Sequence, residues 1–235
     1  MLYAMSAPDV EKFKALAEAF SVKGITEIIA DPEIETVIQV TNRDGVIEFQ
    51  PVEDMERLTE EEREMLEIQR EAAEELNTMS SNFKTYFGES NFQGAIDVFV
   101  SADFVRLTFG DGVLFDSGRA DLKPDAIEIL DRVAQELSGY PENEIKIEGH
   151  TDNVPINAPP MFPNNMWLSA ARAITVRDYF TDVKDLRPEK ISVEGKGEYR
   201  PVESNDTFEG RAKNRRVEIK IMSRLFSSAP EPDNF

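Results

Sequence analysis

Two apolar periods take turns between residues 95 and 221, and that alternation leaves few folds open. Residues 95–100 and 104–109 are strand-type runs on either side of Ser101-Ala102-Asp103, the pattern of a hairpin. Pro124 opens a helix whose apolar face is Ile127, Leu130, Val133, Ala134 and Leu137; Gly139 and Pro141 stop it. Ile145 and Ile147 mark a strand, residues 165–180 a second helix, and Ile191 and Val193 another strand. Val217, Ile219 and Ile221 alternate in a last one. From the second hairpin strand onward this order reads βαβαββ, which predicts an α/β (α+β) fold: a mixed sheet with helices on one face, a two-layer sandwich.

The second helix is the most informative stretch, N-M-W-L-S-A-A-R-A-I-T-V at residues 165–176. Leu168, Ala171, Thr175 and Tyr179 recur at helical spacing, and Trp167, Ala170, Ile174 and Phe180 make a broader face. Asn165 is a good N-cap type. Arg172 follows about two turns later. Helical side chains lean toward the N-terminus, so its guanidinium can reach back over the preceding loop. That loop carries Asp152, in G-H-T-D at residues 149–152. An acid and an arginine facing one groove suit a zwitterionic ligand with one amine and one carboxylate. On spacing alone the commoner reading is a surface ion pair or cap, contributing ~0–1 kcal/mol.

Supporting residues are less decided. Leu168 reads as core before contact, and Asn165 as cap before ligand. Arg215 and Arg216 alternate faces at the start of the last strand, so only one can face the groove; Arg215 is the candidate. The loop at residues 153–165 holds four prolines and is apolar enough to wall a groove or meet another subunit, or to be a rigid surface loop. His150 is the only histidine and there is no cysteine, so a zinc site is not expected. No nucleophile, phosphate-loop or metalloprotease motif is present, and no catalytic residue is assigned.

Asn165, Leu168, Ser169, Arg172, Ala173 and Val176 fit the N-x-x-L-S-x-x-R-A-x-x-V pattern, which resembles that of OmpA-like peptidoglycan-binding domains. G-H-T-D-N-V-P-I (residues 149–156) and G-R-A-K-N-R-R-V-E (residues 210–218) look like the same family. A narrower resemblance is to the MotB family of flagellar motor stator proteins. It rests on V-L-F-D-S-G-R-A-D-L-K-P (residues 113–124), the H-T-D-N-V-P-I run and L-Y-A-M-S-A-P-D-V-E-K-F (residues 2–13). One departure is the tryptophan, expected beside the asparagine and found one place later, at Trp167.

The resemblance implies that Asp152 takes the amine and Arg172 the carboxylate of diaminopimelate in a peptidoglycan stem peptide. Backbone N–H groups near Thr151 and Asn153 would add to the carboxylate site, with Asn165, Leu168 and Arg215 around them. It also implies a non-enzymatic wall anchor without a cofactor, a homodimer, and a MotA-like membrane subunit as partner. The chain would stand outside the cytoplasmic membrane, held by a transmembrane helix absent from this sequence. The alternative is an OmpA- or Pal-type envelope tether with no motor role.

Charge excludes another class of partner. Lys and Arg number 26 against 46 Asp and Glu, a formal charge of −20, which argues against nucleic acid or an anionic membrane surface. Residues 1–82 carry 7 basic and 20 acidic side chains, so the front third is the more acidic part.

Outside the domain the reading is coarser. Residues 1–20 include an amphipathic helix with Val10, Phe13, Leu16 and Phe20 on one stripe. It packs on its own domain or, by the resemblance, plugs an ion path. Residues 21–56 read as a linker in which Asp44-Gly45 suggests a small hairpin. Residues 57–88 read as a long helix with Thr59 and Glu62 as a capping box and Gly88 as its end. Leu58, Met65, Ala72, Met79 and Tyr86 repeat every seven positions, with Ile68, Leu76 and Phe83 in the seam. Such a seam fits either a dimer or packing on the same chain. Residues 89–224 form the domain, and residues 225–235 read as a disordered tail.

Overall fold

The computed structural model describes residues 40–43, 46–49, 59–89, 94, 96–110, 112–156 and 161–224. The plug-like segment, the tail after residue 224 and most of the linker lie outside the described residues, as do Leu58 and the side chains of Glu62 and Met65.

Five strands build the main sheet: β3 (Ile96–Val100), β4 (Phe104–Phe109), β5 (Ile145–His150), β6 (Ile191–Gly197) and β7 (Arg216–Met222). Their spatial order is β3-β4-β7-β5-β6. β5 and β6 run parallel and the other pairs antiparallel, so the sheet is mixed, as the strand–helix order predicts. A separate hairpin pairs β1 (Val40–Arg43) with β2 (Val46–Phe49) around the D-G turn signal.

Period-two alternation decides which sheet face meets the helices. Leu107, Ile219 and Ile147 lie in one cross-strand row, and Val105, Ile221 and Ile145 in the next. All six are buried in one core. Helix α1 (Glu60–Glu89), helix α2 (Pro124–Leu137) and helix α3 (Asn165–Asp178) supply the second layer.

α1 begins at Glu60, placing Thr59 at the cap position, and runs one residue past Gly88. Ala73, Leu76, Met79, Phe83 and Phe87 are buried in the core of this same chain. Polar ties fix the same stretch: Asn143 donates to Glu75 (2.7 Å), Asn82 donates to Glu136 (2.7 Å), and Arg224 pairs with Glu75 (3.3 Å). Of the two readings of the heptad stripe, packing in cis is the one these side chains adopt, and Ile68 stays exposed.

Two helix faces differ from expectation. In α2 the buried set is Ala126, Ile129, Leu130, Val133, Ala134 and Leu137, while Ile127 is 43% exposed. Ile127 lies about 100° around the helix from Ala126, outside the stripe through Ile129, Leu130 and Val133. In α3 the buried set is Leu168, Ser169, Arg172, Ala173 and Val176, while Trp167 and Ile174 face out. A short helix, α4 (Phe208–Asn214), precedes β7 and was not expected; Thr207 caps it by accepting from the Gly210 N–H at 3.0 Å. None of the described helices is long and apolar enough to cross a membrane.

Candidate functional site

α3 comes down onto the sheet at a place that only glycine permits. A Cβ on Gly149 would lie 2.0 Å from the Ser169 carbonyl oxygen. Alongside, the β5–β6 register slips so that Gly149 faces Gly195 while His150 faces Gly197. Gly197 takes φ +53°, and its N–H donates to Ser169 Oγ at 2.9 Å while its carbonyl accepts from the Thr151 N–H at 2.9 Å. The small residues of α3 therefore fix the loop that leaves β5.

That loop holds Asp152. Its Oδ1 accepts from the Val154 N–H (3.0 Å) and its Oδ2 from Arg215 Nη1 (2.6 Å), with Asp152 only 6% exposed. Arg215 stands at the end of α4, just before β7. Arg172, also buried, donates from Nε to the Arg119 carbonyl (2.8 Å) and from Nη2 to the Asp116 carbonyl (3.0 Å). Its guanidinium lies over the Phe115 ring, 5.4 Å from the centroid. Arg172 and Arg215 line one small open cleft with Phe109, Gly110, Leu114, Phe115 and Arg216.

The expected site residues fall into distinct positions. Arg215 meets Asp152 directly, whereas Arg172 is held at the carbonyls of Asp116 and Arg119 and shares only the cleft lining with Arg215. Asn165 is not the helix cap. Asn164 is, its side chain accepting from the Trp167 N–H at 3.1 Å. Asn165 instead donates to the carbonyls of Asp152 and Val154 and to the Glu198 carboxylate, each at 3.1 Å, so it staples the loop to the helix start. Leu168 is buried, Asn153 is exposed, and the Thr151 hydroxyl is buried without a hydrogen-bond partner.

Sequence reasoning missed Phe109, Gly110, Leu114 and Phe115 as lining residues, and the two carbonyls on Arg172. The signal was in hand: V-L-F-D-S-G-R-A-D-L-K-P contains Phe115, Asp116 and Arg119.

Electrostatically the cleft opposes the whole chain. Arg172 and Arg215 line it, with Asp152 held by Arg215, in a protein of formal charge −20; Arg216 also borders it, but its guanidinium is paired with Glu218 at 2.7 Å. Guanidinium groups so placed can pair with carboxylates, while Asp152 already has Arg215 as its cation. His150 is not part of it: its Nε2 lies 3.9 Å from Glu148 on the sheet face away from the helices.

Residues 114–215 match the OmpA family. Motility protein B of Bacillus subtilis is 30% identical over 231 residues, covering 95% of this chain and 84% of that protein. The peptidoglycan-binding protein ArfA of Mycobacterium tuberculosis is 41% identical over 120 residues, which is 50% of this chain and 34% of ArfA. The crystal structure of a MotB-like protein from Desulfovibrio vulgaris superposes with a TM-score of 0.62 at 29% identity, covering 71% of this chain and 99% of that one. With its OmpA-family domain and a likeness to motility protein B along nearly its whole length, the chain belongs to the MotB family.

Proposed function

We propose that this chain is the peptidoglycan-binding anchor of a flagellar motor stator. The observation that carries the reading is the cleft in which Arg172 and Arg215 converge beside buried Asp152, within a MotB-family chain. Diaminopimelate of a stem peptide offers the complementary groups. Its carboxylate goes to the guanidinium of Arg172, and its amine to Asp152, partly replacing Arg215. Charge-assisted hydrogen bonds of this kind contribute roughly 1.5–3 kcal/mol each when shielded from water.

The role is binding without chemistry. Two such chains in a homodimer would hold two stem peptides and gain avidity with no new contact. Outside the cytoplasmic membrane, and joined to a MotA-like subunit through a membrane segment of the whole protein, the anchor would hold the stator still against the rotor. The similarity to motility protein B supports the motor role, and the likeness to ArfA supports the wall-binding half.

Sedimentation with purified sacculi tests the binding. Wild type co-sediments; Asp152→Ala and Arg172→Ala stay in solution while keeping the native circular-dichroism spectrum. Undiminished co-sedimentation of both variants would refute the cleft as the ligand site. The OmpA-family match by itself also fits a tether with no motor role. Restored swimming of cells lacking their own motility protein B, when given the whole protein, separates the two.

A further inference from the structure

The sheet face turned away from the helices carries a second constellation. Glu148 and Glu218 are directly paired across β5 and β7, and His150 is two residues along β5 from Glu148. The three side chains therefore share one face. One ligand-type atom from each lies within 4.8 Å of the others, and all three residues are at most 5% exposed.

His150 is the odd member. It is 2% exposed, and neither ring nitrogen has a hydrogen-bond partner. Buried polar atoms are nearly always satisfied, so an imidazole with two idle nitrogens beside two carboxylates asks what it is for. An unprotonated imidazole nitrogen offers a lone pair to a metal ion.

The carboxylate oxygens are divided between outer and inner cations. Glu218 Oε1 is held by Arg216 Nε at 2.7 Å, and Glu148 Oε1 by Lys146 at 3.1 Å and Lys196 at 3.7 Å. The two remaining oxygens, Glu148 Oε2 and Glu218 Oε2, converge on one ammonium, that of Lys220, at 2.6 and 3.4 Å. His150 Nε2 is 3.9 Å from the same Glu148 Oε2. A metal ion about 2.0–2.2 Å from each of three ligands separates those ligand atoms by roughly 3–4 Å; here His150 Nε2 and Glu148 Oε2 are 3.9 Å apart and the three groups lie within 4.8 Å, so a small contraction brings them onto one ion.

We propose that Glu148 Oε2, Glu218 Oε2 and His150 Nε2 form a binding site for one divalent transition-metal ion of the zinc class, in which the Lys220 ammonium stands until the metal displaces it. Lys220 retains some solvent exposure on a flexible stem, so its ammonium can swing out. Arg216 and Lys146 keep the outer oxygens and orient the carboxylates, as second-layer partners do. One imidazole with two carboxylates suits zinc, manganese or cobalt better than calcium or magnesium, which take oxygen ligands. The expectation against zinc counted nitrogen and sulfur ligands; strand register supplies the carboxylates.

The test uses tag-free, chelator-stripped protein, in which His150 is the only histidine. Zn²⁺ is titrated by calorimetry, and Co²⁺ by its visible absorption. One ion per chain is expected in wild type, and at least tenfold tighter binding in Lys220→Met, where the resident cation is gone. His150→Gln should weaken binding at least tenfold in either background, with an unchanged far-ultraviolet spectrum. Absence of stoichiometric binding in Lys220→Met overturns the site. So does binding that His150→Gln leaves intact, because the ion would then sit among surface carboxylates.

Discussion

Arg215 reaches across 63 residues of sequence to place its Nη1 2.6 Å from Asp152 Oδ2. The acid that the family resemblance assigns to a ligand's amine is thus already neutralised by a cation of the same chain. A ligand amine has to share or replace that partner.

Arg215→Ala should accordingly have two separable effects. It leaves a mostly buried carboxylate with one fewer donor, costing about 1–3 kcal/mol in urea denaturation. It also removes one of the cleft's guanidinium groups, and co-sedimentation with sacculi should weaken at least tenfold. Arg215→Lys keeps the charge but not the fork, and should recover stability more fully than binding. Equal recovery of both would count against a direct ligand role for Arg215.

The contact between α3 and the sheet gives a sharper prediction on the fold. Gly149→Ala puts a methyl 2.0 Å from a backbone oxygen, which no rotamer relieves. Loss of the cooperative transition, or destabilisation beyond about 3 kcal/mol, is expected. Ser169→Ala removes the acceptor for the Gly197 N–H and should cost about 1 kcal/mol. A Gly149→Ala protein as stable as wild type would show that the helix does not pack this closely.

Leu76→Ala probes the heptad stripe. Leu76 is fully buried within the chain, so truncation should cost about 2–5 kcal/mol. Sedimentation velocity should show the same species as wild type while the protein stays folded. A shift from dimer to monomer without loss of stability would return the stripe to an intermolecular role.

Acid stability should carry the mark of His150, measured with a chelator present so that only protons compete for the ring. The folded-state pKa is depressed to about 4 from an ordinary 6.5, chiefly by burial and then by Arg216. Above pH 6.5 neither state binds the proton and the stabilisation is complete. As pH falls from 6.5 toward 4 the unfolded chain takes up a proton that the folded chain refuses, so stability declines. The loss should reach about 2 kcal/mol by pH 5. His150→Gln should flatten that limb; an identical slope in the variant would place the titration elsewhere.

Periodicity made the sheet legible, because Val217, Ile219 and Ile221 on β7 and Ile145 and Ile147 on β5 alternate without interruption. It was less reliable for helix faces. Ile127 and Ile129 are equally apolar, and only the packing angle of α2 tells which is inside. α3 misled for a different reason. Its contact face uses small and polar residues, since glycine on the sheet lets the backbones meet, and so Trp167 and Ile174 are left outside. At seven residues, α4 is too short to show a period. Within the site, Asp152, Arg172 and Arg215 were readable as residues, but not who would hold whom. Arg172 directs two of its donors to carbonyls more than fifty positions away.

The way α1 is seated bears on mechanical load. Its core-packed residues run from Ala73 to Phe87, about 20 Å of helix at 1.5 Å per residue. Tension applied along that axis strains all five side chains together, as shear, instead of peeling them away one after another. A pull entering through the N-terminal turns of α1 would therefore be resisted by the whole seam before the sheet felt any distortion.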